Sequence, residues 1–478
     1  MTVHAVTAHR LSDLRARTAR VALVFGISLG LLYAGRALVD PTRAHLVMAG
    51  AITAVLVGIG LRSPRSLLYG LVVWLAALGL VRRLAAEFSP APQSDPLLLV
   101  EAAAVGVLLI VAAARGAFSN LTGLAKAVLA LSLLVVLGAI NPLGGSLTAG
   151  LGSLYLILIP MLAFWVGRSI CDDRTLATTL GLVASLAVAA GVYGLAQTFN
   201  GFPSWDAAWI STGGYEALNV GGATRAFGPF TSASEYAIFL GIGFVAWLAF
   251  GFRLVRLPFA VGAVALLATA IFYESSRGII FTLVFAVALM VAARRRLPIA
   301  ISAALAVAAL FAVPFVTRSV ASSPTVSATD PGSALAAHQI QGLSSPLSSQ
   351  DSTLGAHFSL FTNGLRSAIN NPVGLGIGSV TIAGSKYGGE TVSTEVDPSN
   401  AAVALGIPGL VAYLAVVGIA FFNAYSLASR RRDALAIAAL GVLVITLLQW
   451  LNGGQYAVAF LVWLVLGWVD RARLAEHA

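Results

Sequence analysis

The chain has 478 residues, of which 58% are hydrophobic and only 10% are charged. Soluble domains carry about 25% charged residues, so this composition excludes a water-soluble enzyme and indicates a membrane protein. The net charge of +10 would favour a nucleic-acid partner in a soluble protein, but here the arginines lie mainly at the ends of apolar segments. Arginines in that position orient membrane helices, so we expect contact with membrane lipid and no nucleic-acid partner.

Apolar segments recur from residue 21 to residue 469 without the alternation of a membrane β-barrel. A spanning helix needs about 20 residues, which gives fourteen candidate spans, or twelve to thirteen if some cross only partly. The candidates are 21–38, 45–61, 66–81, 97–114, 121–139, 146–167, 175–196, 230–251, 256–273, 278–293, 297–316, 400–428, 434–450 and 455–469. The sequence therefore predicts an all-α fold, a polytopic membrane helix bundle of about 12 to 14 transmembrane helices.

The first thirty residues resemble a signal peptide, because four arginines precede the first apolar segment. No small-residue cleavage site follows that segment, so we expect it to be retained as the first helix. With fourteen crossings, nearly all arginine clusters fall on the cytoplasmic side, together with both termini. The exception is the pair Arg82 and Arg83, which falls on the outer side.

Two connecting segments on the outer side are too long to be simple turns. They divide the chain into a transmembrane bundle at 1–316, with an outer loop at about 197–229, an extracytoplasmic loop at 317–399, and C-terminal transmembrane helices at 400–478. Loops of this length are usually functional or disordered. Because Cys171 is the only cysteine, no intrachain disulfide can hold them, and packing must do so.

A helix is predicted inside the second loop, at about 352–370. Its apolar residues recur at helical spacing, and Asn371 followed by Pro372 ends it. The recurring residues are Leu354, Phe358, Phe361 and Leu365. A helix with one apolar stripe beside a bilayer is expected to lie over the transmembrane bundle.

Arg225 is the first residue that could carry chemistry, because it precedes a Gly-Pro turn that leads directly into a span. An arginine beside the free N–H groups of a helix start suits an anion such as phosphate. The alternative is an interfacial arginine that reaches lipid head groups. Ser232 and Glu235 in the same segment fit a capping box, which gives Glu235 a structural role.

Arg277 is the second such residue, in a short break between two helix ends on the outer side. Its alternative role is a local ion pair with Glu274, which contributes little if exposed. Two arginines from different helix ends on one face would form a fork-like site for a pyrophosphate. Lys386, in a glycine-rich stretch, could join them or could be a solvated loop lysine.

Proton transfer would need a base from the outer loops, which offer His338, His357, Glu390, Glu395 and Asp397. Of these, the candidate bases are His357, Glu395 and Asp397. His357 lies beside the apolar stripe of the loop helix, where a packed histidine is the alternative. His338 lies in a polar segment expected to be flexible, and we assign it no role. The sequence contains no metal-ligand spacing, so we expect no metal and no cofactor.

The order of these segments resembles the O-antigen ligase and O-antigen polymerase superfamily of bacterial membrane proteins. The resemblance covers residues 220 to 420 and is carried by four short motifs in the same order. These are Arg225 to Leu240, Ser275 to Gly278, Asn371 to Gly378, and Ser399-Asn400 through Gly406 to Gly409. Each motif alone is weak, but their order around one large outer loop is more specific.

The resemblance implies a GT-C-like glycosyltransferase on the outer face of the bacterial inner membrane. Such an enzyme transfers or polymerises a glycan from undecaprenyl pyrophosphate onto the hydroxyl of a glycan or glycolipid acceptor, with inversion and, in the ligase branch, without a metal. Arg225, Arg277 and Lys386 would bind the pyrophosphate. Where the family has a histidine before its asparagine, this chain has Ser399, so the base would be Asp397, Glu395 or His357.

The alternative class is a polytopic transporter or a flippase for lipid-linked oligosaccharide, which would have a similar number of helices. A transporter would be expected to carry buried polar residues near the membrane midplane and internally repeated halves. Midspan charges are sparse in this chain and no repeat is evident. The polar residues concentrate in the outer loops, which favours a transferase.

Overall fold

A computed structural model describes residues 44–89, 95–144, 146–213, 219–220, 222–251, 255–321, 330–346, 354–381, 384, 387, 391–392, 394 and 396–477. Within these ranges the chain is nearly all helical, with one two-stranded hairpin. The first helices are α1 (Ala44–Arg62), α2 (Pro64–Ala86), α3 (Leu99–Ala114), α4 (Gly123–Ala139), α5 (Leu147–Ile170), α6 (Asp173–Asn200) and the short α7 (Ser204–Gly213). The hairpin consists of β1 (Asn219–Val220) and β2 (Ala223–Thr224), which pair antiparallel.

Nine further helices follow the hairpin within the described ranges. They are α8 (Ala233–Ala246, continued by a π-helical turn at Trp247–Gly251), α9 (Leu257–Glu274), α10 (Arg277–Arg294), α11 (Ile299–Ala321), α12 (Pro331–Ser344), α13 (Leu354–Asn370), α14 (Asp397–Arg431), α15 (Ala434–Ile445) and α16 (Tyr456–His477). Many begin at a side-chain cap, in which a serine, threonine or aspartate accepts a hydrogen bond from a backbone N–H three residues later. Examples are Ser63, Thr122, Ser146, Asp172, Ser232 and Asp433.

The helices confirm a membrane protein. Ten of those described are long and apolar enough to cross a bilayer. Thirteen of the fourteen predicted segments fall on helices, and the first, 21–38, lies outside the described residues. Large apolar side chains such as Ile110, Phe311 and Phe315 point outward and are more than 70% exposed. That surface is suited to hydrocarbon rather than water.

Successive membrane helices run in opposite directions, which gives the bundle two chemically different ends. At one end, which we call the arginine end, ion pairs join neighbouring helices. They are Arg65 with Asp172, Arg168 with Asp470, and Arg431 with Asp173. The opposite end, which we call the loop end, carries the described parts of residues 201–232 and of the long connection between α11 and α14. Arg82 and Arg83 lie at this loop end, where they pair with Asp95 and Asp206, and their predicted position on the outer side of the membrane stays a prediction.

The long connection contains two described helices, of which the sequence predicts one. Helix α13 ends at Asn370, as predicted, but its packing face differs from the predicted stripe. A Cβ at Gly364 would overlap the side chain of Ser399 at the start of α14, and Ala368 is also buried, whereas Phe358 is 65% exposed. Small residues allow α13 to lie directly on α14, so the phenylalanine faces away.

Helix α14 is interrupted near the loop end of the bundle. Gly406 has φ 65°, a left-handed conformation that glycine adopts without steric cost, inside an otherwise continuous helix. The freed backbone groups pair with the segment after α13, since Ile407 donates to the carbonyl of Pro372 at 3.0 Å and Leu375 donates to that of Val403 at 2.8 Å. The two glycine-containing motifs of the sequence therefore pack against each other.

Candidate functional site

Arg225 lies at the loop end, just after strand β2, and is 9% exposed. Its Nε donates to the backbone carbonyl of Glu274 at 2.9 Å, and its guanidinium forms an ion pair with the Glu274 carboxylate. That carboxylate also accepts a hydrogen bond from the N–H of Ser276 at 3.0 Å. Glu274, considered from the sequence as a local partner of Arg277, thus binds Arg225 to the break between α9 and α10.

Arg277 begins α10 on the other side of this break. Its guanidinium contacts Nε2 of His338 at 3.0 Å, and Ser275 Oγ contacts Nδ1 of the same imidazole at 2.9 Å. Ser275 makes this possible through a left-handed conformation with φ 65° that turns the chain between the two helices. We call Arg225, Glu274, Ser275, Arg277 and His338 the arginine cluster.

The hydrogen bonds assign one tautomer to His338. Arg277 can only donate, so Nε2 of the imidazole accepts and carries no proton. Nδ1 then donates to Ser275 Oγ, whose hydroxyl donates to the carbonyl of Leu335 at 3.2 Å. Burial lowers the pKa of His338, and the positive charges of Arg277 and Arg225 lower it further. The imidazole is therefore neutral at physiological pH.

His338 corrects the sequence analysis, which expected a flexible segment there. It lies on α12, whose capping box is formed by Asp330 and Ser333 with Pro331 at the first helical position. That start signal is readable from the sequence and would have located the helix. The sequence would still not have shown that Ser275 contacts the imidazole, because Ser275 and His338 are 63 residues apart.

The segment that carries Arg225 is held in place from inside the bundle. Arg83 and Asp206 form an ion pair at 2.6 Å, and both side chains are 0% exposed. The same guanidinium donates to the carbonyls of Gly228 and Phe230. Its remaining face lies over the ring of Phe227, with Cζ 4.8 Å from the centroid. Arg83 thus connects α2 to α7 and to the residues that follow Arg225.

A second buried charged group joins α1, α2 and the start of α3. Arg82 Nε donates to Asp95 at 2.6 Å, and His45 contacts the other oxygen of that carboxylate at 3.1 Å. Burial raises the pKa of Asp95, but the hydrogen bond to His45 and the attraction of Arg82 outweigh it and lower the pKa to about 2. The carboxylate is ionised at neutral pH, and the group stabilises the loop end.

Close backbone contact between α2 and residues 229–230 depends on Gly79. A Cβ there would overlap the backbone carbonyls of Pro229 and Phe230, and Leu80 donates to the carbonyl of Pro229 at 2.7 Å. We expect Gly79→Ala to destabilise the protein by about 1–3 kcal/mol, because backbone atoms must shift to admit the methyl group. Thermal unfolding in detergent measures this, with Gly58→Ala as the control, since nothing lies within 4 Å of a Cβ at 58. Equal unfolding temperatures for the two variants would contradict the prediction.

Asp397, one of the three candidate bases, lies at the start of α14 and is 0% exposed. One carboxylate oxygen accepts hydrogen bonds from the Tyr413 hydroxyl at 3.0 Å, from the N–H of Leu451 at 2.9 Å and from that of Trp450. These contacts fix the turn between α15 and α16. Among the described contacts, none joins Asp397 to the arginine cluster.

For the remaining predicted site residues, the structure describes no side chain. Lys386 and Glu395 fall on residues that the structure does not describe. His357 lies in α13, but its side chain is not described. Their assignments stay predictions. The capping role predicted for Ser232 is confirmed, since its Oγ accepts from the N–H of Glu235 at 3.2 Å.

The arrangement is chemically suited to an anion. Two guanidinium groups from different elements meet at one break between helices, next to a neutral imidazole that can accept a proton. In the described part of the chain, no three His, Cys, Asp or Glu residues are grouped as metal ligands. Comparison with known proteins gives no matching family model and no significant match to a curated protein.

Proposed function

We propose that this membrane protein is a glycosyltransferase that takes a glycan from a polyprenyl pyrophosphate and transfers it to an acceptor sugar hydroxyl. The reaction would occur at the loop end, which corresponds to the outer face of the bacterial inner membrane. The proposal includes the family suggested by the sequence motifs, the O-antigen ligases and polymerases, and both termini on the cytoplasmic side. The donor would be an undecaprenyl-pyrophosphate-linked glycan, and the acceptor a glycan or glycolipid.

The observation that carries the proposal is the meeting of Arg225 and Arg277 around one helix break. Arg225 binds Glu274, and Arg277 follows three residues later, so their guanidinium groups come from separate elements to the same end of the bundle. Guanidinium groups bind phosphate oxygens through paired hydrogen bonds, which makes arginine suited to a diphosphate. A lipid-linked diphosphate would reach them from the bilayer around the helices.

The chemistry follows from the charges. The acceptor oxygen attacks the anomeric carbon, and the bond from that carbon to the phosphate oxygen breaks with its electron pair going to the diphosphate. The acceptor proton goes to a base, for which Asp397, Glu395 and His357 remain the candidates. Positive groups beside the departing diphosphate stabilise the charge that develops there. Direct displacement inverts the anomeric centre.

The proposed activity can be tested with the full-length protein in liposomes that contain polyprenyl-pyrophosphate-linked glycan from a bacterial membrane extract. Transfer releases polyprenyl pyrophosphate and extends or modifies an added acceptor glycolipid, and mass spectrometry of both products measures it. One added unit would indicate a ligase and a ladder of products a polymerase. Movement of intact donor between leaflets without release of polyprenyl pyrophosphate would instead establish a flippase.

Because Gly342 lies against Arg277, a substitution at 342 can disturb the site while both arginines are retained in the sequence. A Cβ at 342 would overlap the Arg277 guanidinium, so Gly342→Ala must displace it. We expect this variant to slow transfer by up to about 100-fold, because displacement by about 1 Å has that effect at a reacting centre. Gly355→Ala is the matched control on α13, the next helix in the chain, where nothing lies within 4 Å of the added Cβ. If both variants transfer glycan at the wild-type rate, Arg277 does not position the donor.

A further inference from the structure

Helix α13 has three different sides, because residues of one type recur along it at the spacing of helical turns. One side packs on α14 through the buried small residues Gly364 and Ala368. A second side, which we call the apolar side, contains Phe358 at 65% exposure, Ile369 at 75% and, between them, the partly buried Leu365. The third, which we call the polar side, is exposed and consists of Ser359, Asn363, Arg366 and Asn370.

The apolar side extends beyond these three residues. The rings of Phe358 and Phe361 lie beside each other, with centroids 6.4 Å apart. Val373, which follows the helix and is 68% exposed, continues the apolar side past the C-terminal end of α13. An exposed apolar side next to an exposed polar side is typical of a helix that lies in the surface of a bilayer, where one side meets hydrocarbon and the other meets water.

Helix α14 folds back on itself at Gly406, and this fold determines the depth of α13. The Tyr413 hydroxyl donates to the Asp397 carboxylate at 3.0 Å, although the two residues are 16 positions apart. A straight helix would place them about 24 Å apart, which is beyond the reach of the two side chains. The segment 397–405 therefore lies beside the first turns of the segment 407–431 and does not continue its axis.

The segment 407–431 positions this fold relative to the bilayer. At about 1.5 Å per residue it is about 37 Å long, which is enough to cross a hydrocarbon core of about 30 Å from the arginine end to Ile407. Because the segment 397–405 turns back from that point, it lies at the edge of the hydrocarbon. Helix α13 packs on this segment, since a Cβ at Gly364 would overlap Ser399, and therefore lies at the same depth.

The apolar side of α13 is continuous with the lipid-facing surface of α14. Exposed apolar residues form one line along the segment 407–431, because their spacing follows the helical turns. They are Ile407, Val411, Leu414 and Phe422. Ile407 donates to the carbonyl of Pro372 at 3.0 Å, next to Val373. The exposed apolar surface therefore passes from the spanning part of α14 through Val373 onto α13.

We propose that the apolar side of α13 is immersed in the lipid leaflet at the loop end, while its polar side faces water. The partner is the hydrocarbon of the bilayer, because hydrocarbon surrounds the part of α14 that the apolar side continues. Arg366 on the polar side can reach lipid phosphate groups, as long basic side chains do at a membrane surface. The leaflet thus holds the long connection between α11 and α14 at the membrane surface. This position of α13 does not depend on the proposed transfer reaction.

Site-directed spin labelling of the full-length protein tests this position. Cys171 is the only cysteine and is buried, so the wild-type protein should take up no label and an introduced cysteine reports a single site. Phe358→Cys and Ile369→Cys place a nitroxide on the apolar side. Asn363→Cys is the matched control on the polar side of the same helix, and Val411→Cys provides a reference for contact with lipid.

The labelled proteins are reconstituted in vesicles of phosphatidylethanolamine and phosphatidylglycerol in equal amounts. Relaxation of the nitroxide is then measured with oxygen, which concentrates in hydrocarbon, and with a water-soluble nickel chelate. We expect the labels at 358 and 369 to be relaxed mainly by oxygen, as at 411, and the label at 363 to be relaxed mainly by nickel. The order of the two effects thus reverses between two sides of one helix.

Two results would overturn the proposal. If nickel relaxes the labels at 358 and 369 as strongly as the label at 363, the apolar side faces water. If neither oxygen nor nickel reaches 358 and 369, protein covers the apolar side, and spin–spin broadening in fully labelled samples would identify a second copy of the chain as the cover. If one of the two apolar-side variants does not fold, the other provides the same comparison, because both positions are exposed.

Discussion

Replacement of Arg277 by alanine is expected to weaken binding of a synthetic short-chain prenyl diphospho-N-acetylglucosamine, the diphosphate probe, by about 30-fold to several thousand-fold, and to abolish measurable glycan transfer. The reason is that removal of one member of a close charge pair costs about 2–5 kcal/mol, and each 1.4 kcal/mol is tenfold in affinity. Arg277 is only partly buried and begins a helix, so its loss should leave the fold intact. Calorimetric titration with the probe measures the effect.

Arg366→Ala is the control for this experiment, because Arg366 lies exposed on α13. It should bind the probe as the wild-type protein does. Arg277→Lys should recover only part of the affinity, since an ammonium group cannot make the paired hydrogen bonds of a guanidinium. Wild-type affinity in Arg277→Ala would remove the basis of the proposed function.

Arg225 needs a different design from Arg277. Its removal leaves Glu274, which is 0% exposed, without the charge that it binds. Loss of activity in Arg225→Ala could therefore result either from weaker donor binding or from lower stability of the protein, and the assay would not separate the two. The double variant Arg225→Met with Glu274→Gln removes both charges while preserving side-chain volume. We expect it to fold and to bind the probe as weakly as Arg277→Ala does.

Arg83→Ala is expected to produce the largest loss of stability, about 3–5 kcal/mol. It leaves the fully buried Asp206 carboxylate without its cation, and an uncompensated buried charge has a cost of that size. The backbone carbonyls of Gly228 and Phe230 also lose their donor. The unfolding temperature in detergent, followed by size-exclusion chromatography after heating, measures the change.

Arg65→Ala is the matched control at the arginine end. Arg65 also pairs with an aspartate, Asp172, but its side chain is 50% exposed. Exposed pairs contribute about 0–1 kcal/mol, so this variant should unfold close to the wild-type temperature. If Arg83→Ala and Arg65→Ala lose the same stability, burial does not determine the strength of these pairs and the anchoring role of Arg83 is wrong.

The sequence predicts the membrane helices well because their signal is local. A segment of about 20 apolar residues leaves its backbone groups with no partner in the bilayer except each other. Helix α13 is also locally specified, since Asn371 and Pro372 end it. Its packing on α14 is not specified locally, because the contact of Gly364 with Ser399 depends on how two segments that are distant in sequence pack together.

The candidate site is only partly predictable for the same reason. The sequence indicates that Arg225 and Arg277 belong to one end of the bundle. It does not indicate that Glu274 binds Arg225, a contact between residues 49 positions apart. Arg82 and Arg83 are visible as an exception to the charge pattern, but only the fold brings Asp95 and Asp206 to them.

The buried position of Arg83 has a consequence for how such chains diverge. The guanidinium of Arg83 binds one carboxylate and two backbone carbonyls and has no contact with solvent. Substitution of Arg83 or Asp206 alone would therefore cause a large loss of stability. Related sequences should therefore vary at positions 83 and 206 together, exchanging the pair for two neutral residues in a single lineage. An alignment of related sequences would show this covariation between positions 83 and 206 before any related protein is purified.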